Sequence, residues 1–547
     1  MSFLTKFSNF ICIYAKFLLF LQAELCRKEV NQPDTYNNQQ PQMPPMPPMP
    51  PTQRPMMPQG PVMPTIQTTF PRQFSKAAIA AYFIGLLAVA VMASSVNMVM
   101  EWYWWVFGIV EVVGFFLASA NLSTSWKGLK SKAFEKKLFW TGFGIRAVVV
   151  LFLYWFFYEM KGDHMMFSSA DETFYVDIAT YGASRLRDGH WGTFILDIIN
   201  YTGGHIDVAD MGYPVWLSIV FYLTGDSLLL SRIVKAALGA YTCVLIYQVA
   251  KRNFGECVGR MSAIFCMLMP NLIYYCGINL KEIEMIFVIS VFLNSADKLL
   301  HNKRPSLKIY VLPVLSALVL FTFRNVLGMT AIMALGLSLF ISNVHNLNIS
   351  RRWAMLIILV IIGSYFVGGK IYMEAERIWE NRGTSQELRL QERANRSGNK
   401  IIQNASAAVF APFIFTLPFP TMIETEGQET LRMIHGGLVI KNIMSGFTIF
   451  AILLLLLEGG SIRKGRWREH VLLVAMLGGY LVILVFSAFA HAERFHLPAV
   501  PMEMIFAAYG VSRMKKKQRF MFSIWCVIMV AAMIGWNWFK LKGRGMI

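Results

Sequence analysis

Residues 168–175 read SSADETFY and set two adjacent carboxylates, Asp171 and Glu172, just beyond an apolar run that ends at Met160. A carboxylate held in a partly dry site has its pKa raised and can take a proton as a general base. Glu172 also has a plainer role: with Ser169 three residues earlier it completes a capping box, and acids in a first helical turn complement the helix dipole. The cap does not require Asp171, which leaves it as the candidate base. Three cations fall at predicted span ends: Lys281, Arg324 and Arg494. Each either reaches out to lipid headgroups or stabilises a developing anion. Arg232 lies several residues inside a predicted span. It therefore calls for an acidic partner, from the first loop, or for contact with a bound substrate. Arg146 and Glu111 are further intramembrane charges, expected to pair structurally.

The elements that position these groups are membrane helices. The chain of 547 residues is 55% hydrophobic and only 15% charged, against about 25% charged in ordinary soluble domains. Many apolar runs reach the roughly 17–25 residues that a spanning helix needs. The expected fold is an all-α polytopic membrane protein with about 11–13 transmembrane helices. Candidate spans are 77–95, 102–120, 138–158, 227–249, 258–276, 281–299, 309–323, 326–342, 353–369, 437–457, 471–489, 498–511 and 520–539. The net charge of +19 does not point to nucleic acid. Lys and Arg gather in short links at 127–137, 251–260, 463–468 and 513–519, the pattern of cytoplasmic loops facing anionic lipid. None of the seven cysteines has a C-x-x-C spacing, so they read as small packing residues.

Residues 1–29 read as a weak apolar signal anchor or as sequence upstream of the true start. Residues 30–75, rich in Pro, Met and Gln, read as a disordered tail. Two N-terminal spans and a basic cytoplasmic loop fill 76–137, the core runs from 138 to 512, and a basic loop with a last span closes 513–547. Two outer loops are long, 160–226 and 370–436. The first carries Asp163, Asp171, Glu172, Asp177, Asp188, Asp197, Asp207 and Asp210 against Lys161, Arg185 and Arg187 up to residue 211. Within it Phe174, Ile178 and Tyr181 form a helical apolar stripe suited to the membrane surface, ended by Asp188-Gly189. The stretches 212–225 and 407–420 suit interfacial or re-entrant segments. Trp102, Trp104 and Trp105 suit an aromatic belt.

The order of these features resembles the GT-C glycosyltransferases that use polyprenyl-phosphate sugars, a group that includes protein O-mannosyltransferases and the lipid A aminoarabinose transferase. The resemblance rests on the Asp-Glu pair with Tyr175 three residues on, and on GYPVWLSIVFYLTG followed by an Arg-bearing span. It continues in MPNLIYYCGINLKEIEMIF (269–287) and HAERFHLPAVP (491–501). It implies a GT-C-like helical bundle with juxtamembrane helices on the outer face of a plasma (bacterial inner) membrane. It also implies a polyprenyl-phosphate-linked sugar donor and a glycan, lipid or protein acceptor. Asp171 matches the group's catalytic Asp and is the implied general base for an inverting transfer, with Glu172 in support. Arg494 matches its late Arg and would bind the donor phosphate, followed by Lys281, Arg324 and Arg232.

Tyr175, Tyr213 and Trp191 would shape a sugar pocket or anchor the interface, with His491 on the same face. No cofactor is implied. A metal at His205, Asp207 and Asp210 is conceivable but not required, and solvated loop histidines are the plainer reading. Two alternatives stand beside this one. A polysaccharide polymerase or ligase would use Arg432 and His435 of the late loop, and a lipid-linked glycan transporter would show internal repeats.

Overall fold

Apolar runs bounded by glycine, proline and charge fold into helices, and no strand occurs among the described residues. The computed structural model describes residues 67–96, 102–167, 170–203, 208–302, 306–341, 413–422, 433–458, 465–485, 492–515 and 518–543, with 357 and 359. In chain order the helices are α1 (Arg72–Ser95), α2 (Trp102–Ser125), α3 (Ser131–Lys161), α4 (Ala170–Arg187), α5 (Phe194–Tyr201) and α6 (Val208–Thr224). Next come α7 (Leu228–Phe254), α8 (Glu256–Leu268), α9 (Pro270–Tyr274), α10 (Glu282–His301), α11 (Leu307–Phe323) and α12 (Asn325–Ile341). The last are α13 (His435–Leu457), α14 (Val471–Val485), α15 (Glu493–His496), α16 (Val500–Arg513) and α17 (Arg519–Gly543). Six of the described helices are long and apolar enough to cross a membrane, or seven if the bent pair α8–α9 is one span; α11, α12 and α14 are shorter apolar helices. The chain is an all-α polytopic membrane protein. The expected span at 353–369 lies outside the described residues, apart from Ile357 and Leu359.

Local sequence explains where these helices stop. Gly162 ends α3 in the left-handed conformation (φ +74°), its amide returning to the Tyr158 carbonyl at 2.7 Å. Ser227 caps α7 by accepting the Leu230 amide at 3.2 Å. Pro270 has no amide hydrogen for the Cys266 carbonyl, so α8 stops and the chain bends by 58° into α9. Arg146 of α3 meets this break. It donates to the carbonyls of Cys266 and Met267, each at 3.3 Å, and to that of Gly142 at 3.2 Å. The expected pairing of Arg146 with Glu111 does not occur. Glu111 instead accepts the Gly437 amide at the start of α13 (3.1 Å), where unpaired helix-end amides attract a carboxylate.

Packing revises other expectations. α10, at the expected span 281–299, is buried along nearly its whole length, packed by α7 and α11. Its charges therefore sit against protein. α4 lies on α6, and the face it buries runs through Tyr175, Ile178, Ala179 and Gly182. Phe174 of the expected stripe points away and is exposed. Trp104 is buried against the His435 ring, 5.0 Å between centroids, and is not part of a belt. The stretch 413–420 makes turns, as suits a segment that does not span.

The two N-terminal helices are integral to this bundle: α1 packs on α17 and α2, and α2 on α8 and α13. The packed chain reaches back to Gln67, whose side chain donates to the Met514 carbonyl at 2.7 Å. Phe70 is buried against Phe265 and Phe447. Cys243, Cys266, Cys276 and Cys526 are free and buried.

Candidate functional site

Successive residues on a helix point about 100° apart, so Asp171 and Glu172, side by side at the start of α4, enter different surroundings. Glu172 is fully buried. It accepts the amides of Met166 (2.8 Å) and Asn279 (2.6 Å) and pairs with Arg232 at 3.0 Å. Arg232, equally buried, also donates to the His164 carbonyl at 2.8 Å. This supplies the acidic partner that Arg232 of α7 calls for. The pair fastens three pieces of chain together: the loop before α4, the segment before α10, and α7. Ser169 of the expected capping box lies outside the described residues.

Asp171 faces the other way. Its side chain keeps 48% exposure and forms an ion pair with Arg494 of α15, whose side chain keeps 38%. Arg494 stands 5.3 Å from the centroid of the Phe495 ring, and Arg324 stands 4.2 Å from the same ring. Two guanidinium groups thus share one aromatic face donor. Tyr480 fixes this arrangement, accepting from Arg324 at 3.1 Å and donating to the Phe495 carbonyl at 2.6 Å. One residue before Arg324, the Phe323 carbonyl accepts from Lys281 at 3.1 Å. Lys281 also pairs with Asp210. The structure therefore brings Arg494, Arg324 and Lys281 into one connected group with Asp171. Arg232 stays beneath it, bound to Glu172.

Tyr175 and Tyr213 meet edge to face at 5.2 Å. Next to Tyr213, Gly212 lets α6 approach α11 closely, because a Cβ there would fall 2.9 Å from the Thr322 carbonyl oxygen. Lys235 donates to the Tyr213 hydroxyl at 3.2 Å and stands 3.5 Å from Glu284. His491, His205 and Asp207 lie outside the described residues, and Trp191 is exposed, packed edge-on against Tyr222. Of the late-loop pair, Arg432 is outside the described residues, and His435 is buried with its Nε2 3.3 Å from the Tyr82 hydroxyl.

Sequence reasoning passed over two carboxylates in this group. Glu493, beside Arg494, is buried and held on both oxygens, by Asn271 Nδ2 (2.5 Å) and the Tyr275 hydroxyl (2.7 Å). Burial pushes its pKa up to about 7. Gly437 leaves room for Asn271, since any side chain there would collide with its amide. Glu282, beside Lys281, is also buried and acts electrostatically on Arg494, Tyr175 and Glu493. Each follows or precedes a singled-out cation in the sequence, which was the available signal. A separate apolar crevice between α1, α13 and α17 is lined by Tyr82, Asn442, Met529 and Met533 and contains none of these groups.

The arrangement offers a half-exposed carboxylate, a cluster of cations suited to a leaving phosphate, and aromatic side chains beside them, all at one end of a helical bundle. Residues 435–544 match the Alg9-like mannosyltransferase family, a family of GT-C fold glycosyltransferases. The match covers α13 to α17, less than half of the chain. No curated protein and no solved structure matches. The chain is a membrane glycosyltransferase, and the match supports a lipid-linked sugar as its donor.

Proposed function

We propose that the chain moves a sugar from a polyprenyl-phosphate carrier to a hydroxyl or amine acceptor at the Asp171 end of the bundle, with inversion at the anomeric carbon. One observation carries this reading. The ion pair between Asp171 and Arg494 joins, across 323 residues of sequence, the group suited to take the acceptor's proton and the group suited to hold the donor's phosphate. The acceptor oxygen or nitrogen attacks the anomeric carbon, its proton passes to the Asp171 carboxylate, and the bond from that carbon to the phosphate oxygen breaks. The phosphate leaves with the electron pair, and Arg494, Arg324 and Lys281 balance the growing negative charge. Glu172 and Arg232, buried and bound to each other, position the start of α4. Tyr175 and Tyr213 form the wall beside the sugar.

Mannose is the first sugar to try, because it is named in the family that residues 435–544 match. The acceptor is a glycan, a lipid or a protein. The basic segments support an extracytoplasmic site in the plasma (bacterial inner) membrane. Arg260 reaches the carbonyls of Trp126, Lys127 and Leu129, and Asn253 meets His470, so these segments gather at the end away from Asp171. Cytoplasmic loops carry that charge. The test compares surface glycans by mass spectrometry in a host lacking the gene, complemented with wild type or Asp171→Asn at matched membrane expression. The reading predicts that a sugar lost on deletion returns with wild type only. Full restoration by Asp171→Asn would overturn the assignment of the base.

A further inference from the structure

We propose that Glu282 is the group that reads the transferred sugar, accepting hydrogen bonds from its hydroxyls. This rests on the glycosyl-transfer reading above and adds a residue to it. Glu282 opens α10 and is only 2% exposed, yet among the described residues its Oε2 has no hydrogen-bond partner. The nearby lysines are engaged elsewhere, Lys281 with Asp210 and Lys235 near Glu284. Its counterpart Glu493 shows what a completed site looks like here, with one donor on each oxygen.

A carboxylate is an acceptor only, so what completes Glu282 must bring hydrogen-bond donors. The Glu282 charge acts on Arg494, on the phenols of Tyr175, Tyr213 and Tyr275, and on the carboxyls of Glu284 and Glu493. It therefore lies beside the groups assigned to the phosphate and to the sugar wall. A pyranose is a rigid ring of O–H donors joined directly to that phosphate. Hydrogen bonds from hydroxyls to an ionised carboxylate are the short, strong kind, and a buried acceptor left unmet discriminates sharply against ligands that lack the hydroxyl. The ligand-free protein carries that unmet acceptor as a standing cost.

The experiment measures binding of polyprenyl-phosphate mannose and of bare polyprenyl phosphate to the full chain in lipid nanodiscs, together with the unfolding temperature. Wild type should bind the sugar-bearing carrier more tightly than the bare one. Glu282→Gln should lose at least about tenfold on the sugar-bearing carrier, leave the bare carrier unchanged, and unfold at the same or a higher temperature. Equal weakening of both carriers, or a lower unfolding temperature with both affinities kept, assigns Glu282 a structural role and overturns the proposal. Wild-type affinity that ignores the sugar overturns the transfer reading itself and this proposal with it. Should the Gln variant not accumulate, Glu282→Asp decides the point, since it keeps the charge but withdraws the carboxylate by one methylene. It should weaken the sugar-bearing carrier alone, and weakening of both carriers or of neither overturns the proposal.

Discussion

Helix α7 carries an arginine near each end, Arg232 and Arg252, separated by roughly 30 Å at about 1.5 Å per residue. Each meets an acid from another helix, and the surroundings differ. At the Arg252 end, Asp297 accepts from Arg252 Nε at 2.6 Å and Asn253 Nδ2 at 2.8 Å, while Arg252 Nη2 reaches Asn294 Oδ1 at 2.7 Å. Close by, Glu256 gathers Tyr247, Lys251 and Arg260. On this side His470 Nε2 and Arg468 Nε lack hydrogen-bond partners among the described residues, and burial lowers the pKa of the His470 ring to about 4. At the Arg232 end, Arg232 Nε and Nη1, Asn279 Nδ2, the Tyr274 hydroxyl and Glu282 Oε2 all lack partners among the described residues. Half-exposed charges lie above them. Buried polar atoms are nearly always satisfied in a finished structural network. The contrast sets a clasp that holds helices together against the end where the proposed site lies.

That contrast can be broken or sharpened by substitution. Among the cations the largest expected effect is on rate: Arg494→Ala should lower kcat by about 10²–10³, as for loss of a donor aimed at developing charge, measured by transfer from polyprenyl-phosphate mannose. Its unfolding temperature should barely move, because a pair this exposed contributes about 0–1 kcal/mol. Beneath it, Arg232→Ala strands a fully buried Glu172 and should cost about 3–5 kcal/mol of stability, read by thermal unfolding in detergent. The double variant Arg232→Met with Glu172→Gln should recover part of that loss.

Glu493 gives the pH test. Its folded pKa near 7 lies above the ordinary 4.5, so the folded state holds a proton that the unfolded state releases. The contribution is full below about pH 4.5 and is lost as pH rises through 7, on the order of 3 kcal/mol in the limit. Glu493→Gln should flatten the dependence of unfolding temperature on pH across that window. The smallest effect belongs to the surface pair Arg187 and Asp226, at 2.8 Å and with both side chains about a third exposed. Asp226→Asn should change stability by about 0–1 kcal/mol and leave transfer unaltered.

Much of this site was legible in the sequence because charge in an apolar chain demands an explanation. Arg232 required an acid and has Glu172. Arg494, Lys281 and Arg324 were placed at span ends and do gather with Asp171. Helical phase was not legible. One residue, a turn of about 100°, decides that Glu172 is buried and Asp171 is not, and the same offset leaves Phe174 outside. Nor does apolar content distinguish a helix buried in protein, such as α10, from one facing lipid. Glu282 and Glu493 stand out only once the fold supplies their neighbours. Arg146 and Glu111 looked like a pair because both are charges in apolar spans, yet each found helix-end backbone instead.

The most direct measurement is the single-turnover rate of sugar transfer by purified Asp171→Asn in nanodiscs, with binding of bare polyprenyl phosphate measured on the same sample. The account predicts a rate lower by about 10²–10⁴ with carrier binding retained. A rate within a few-fold of wild type would contradict it, and would move the base to another group at this end of the bundle.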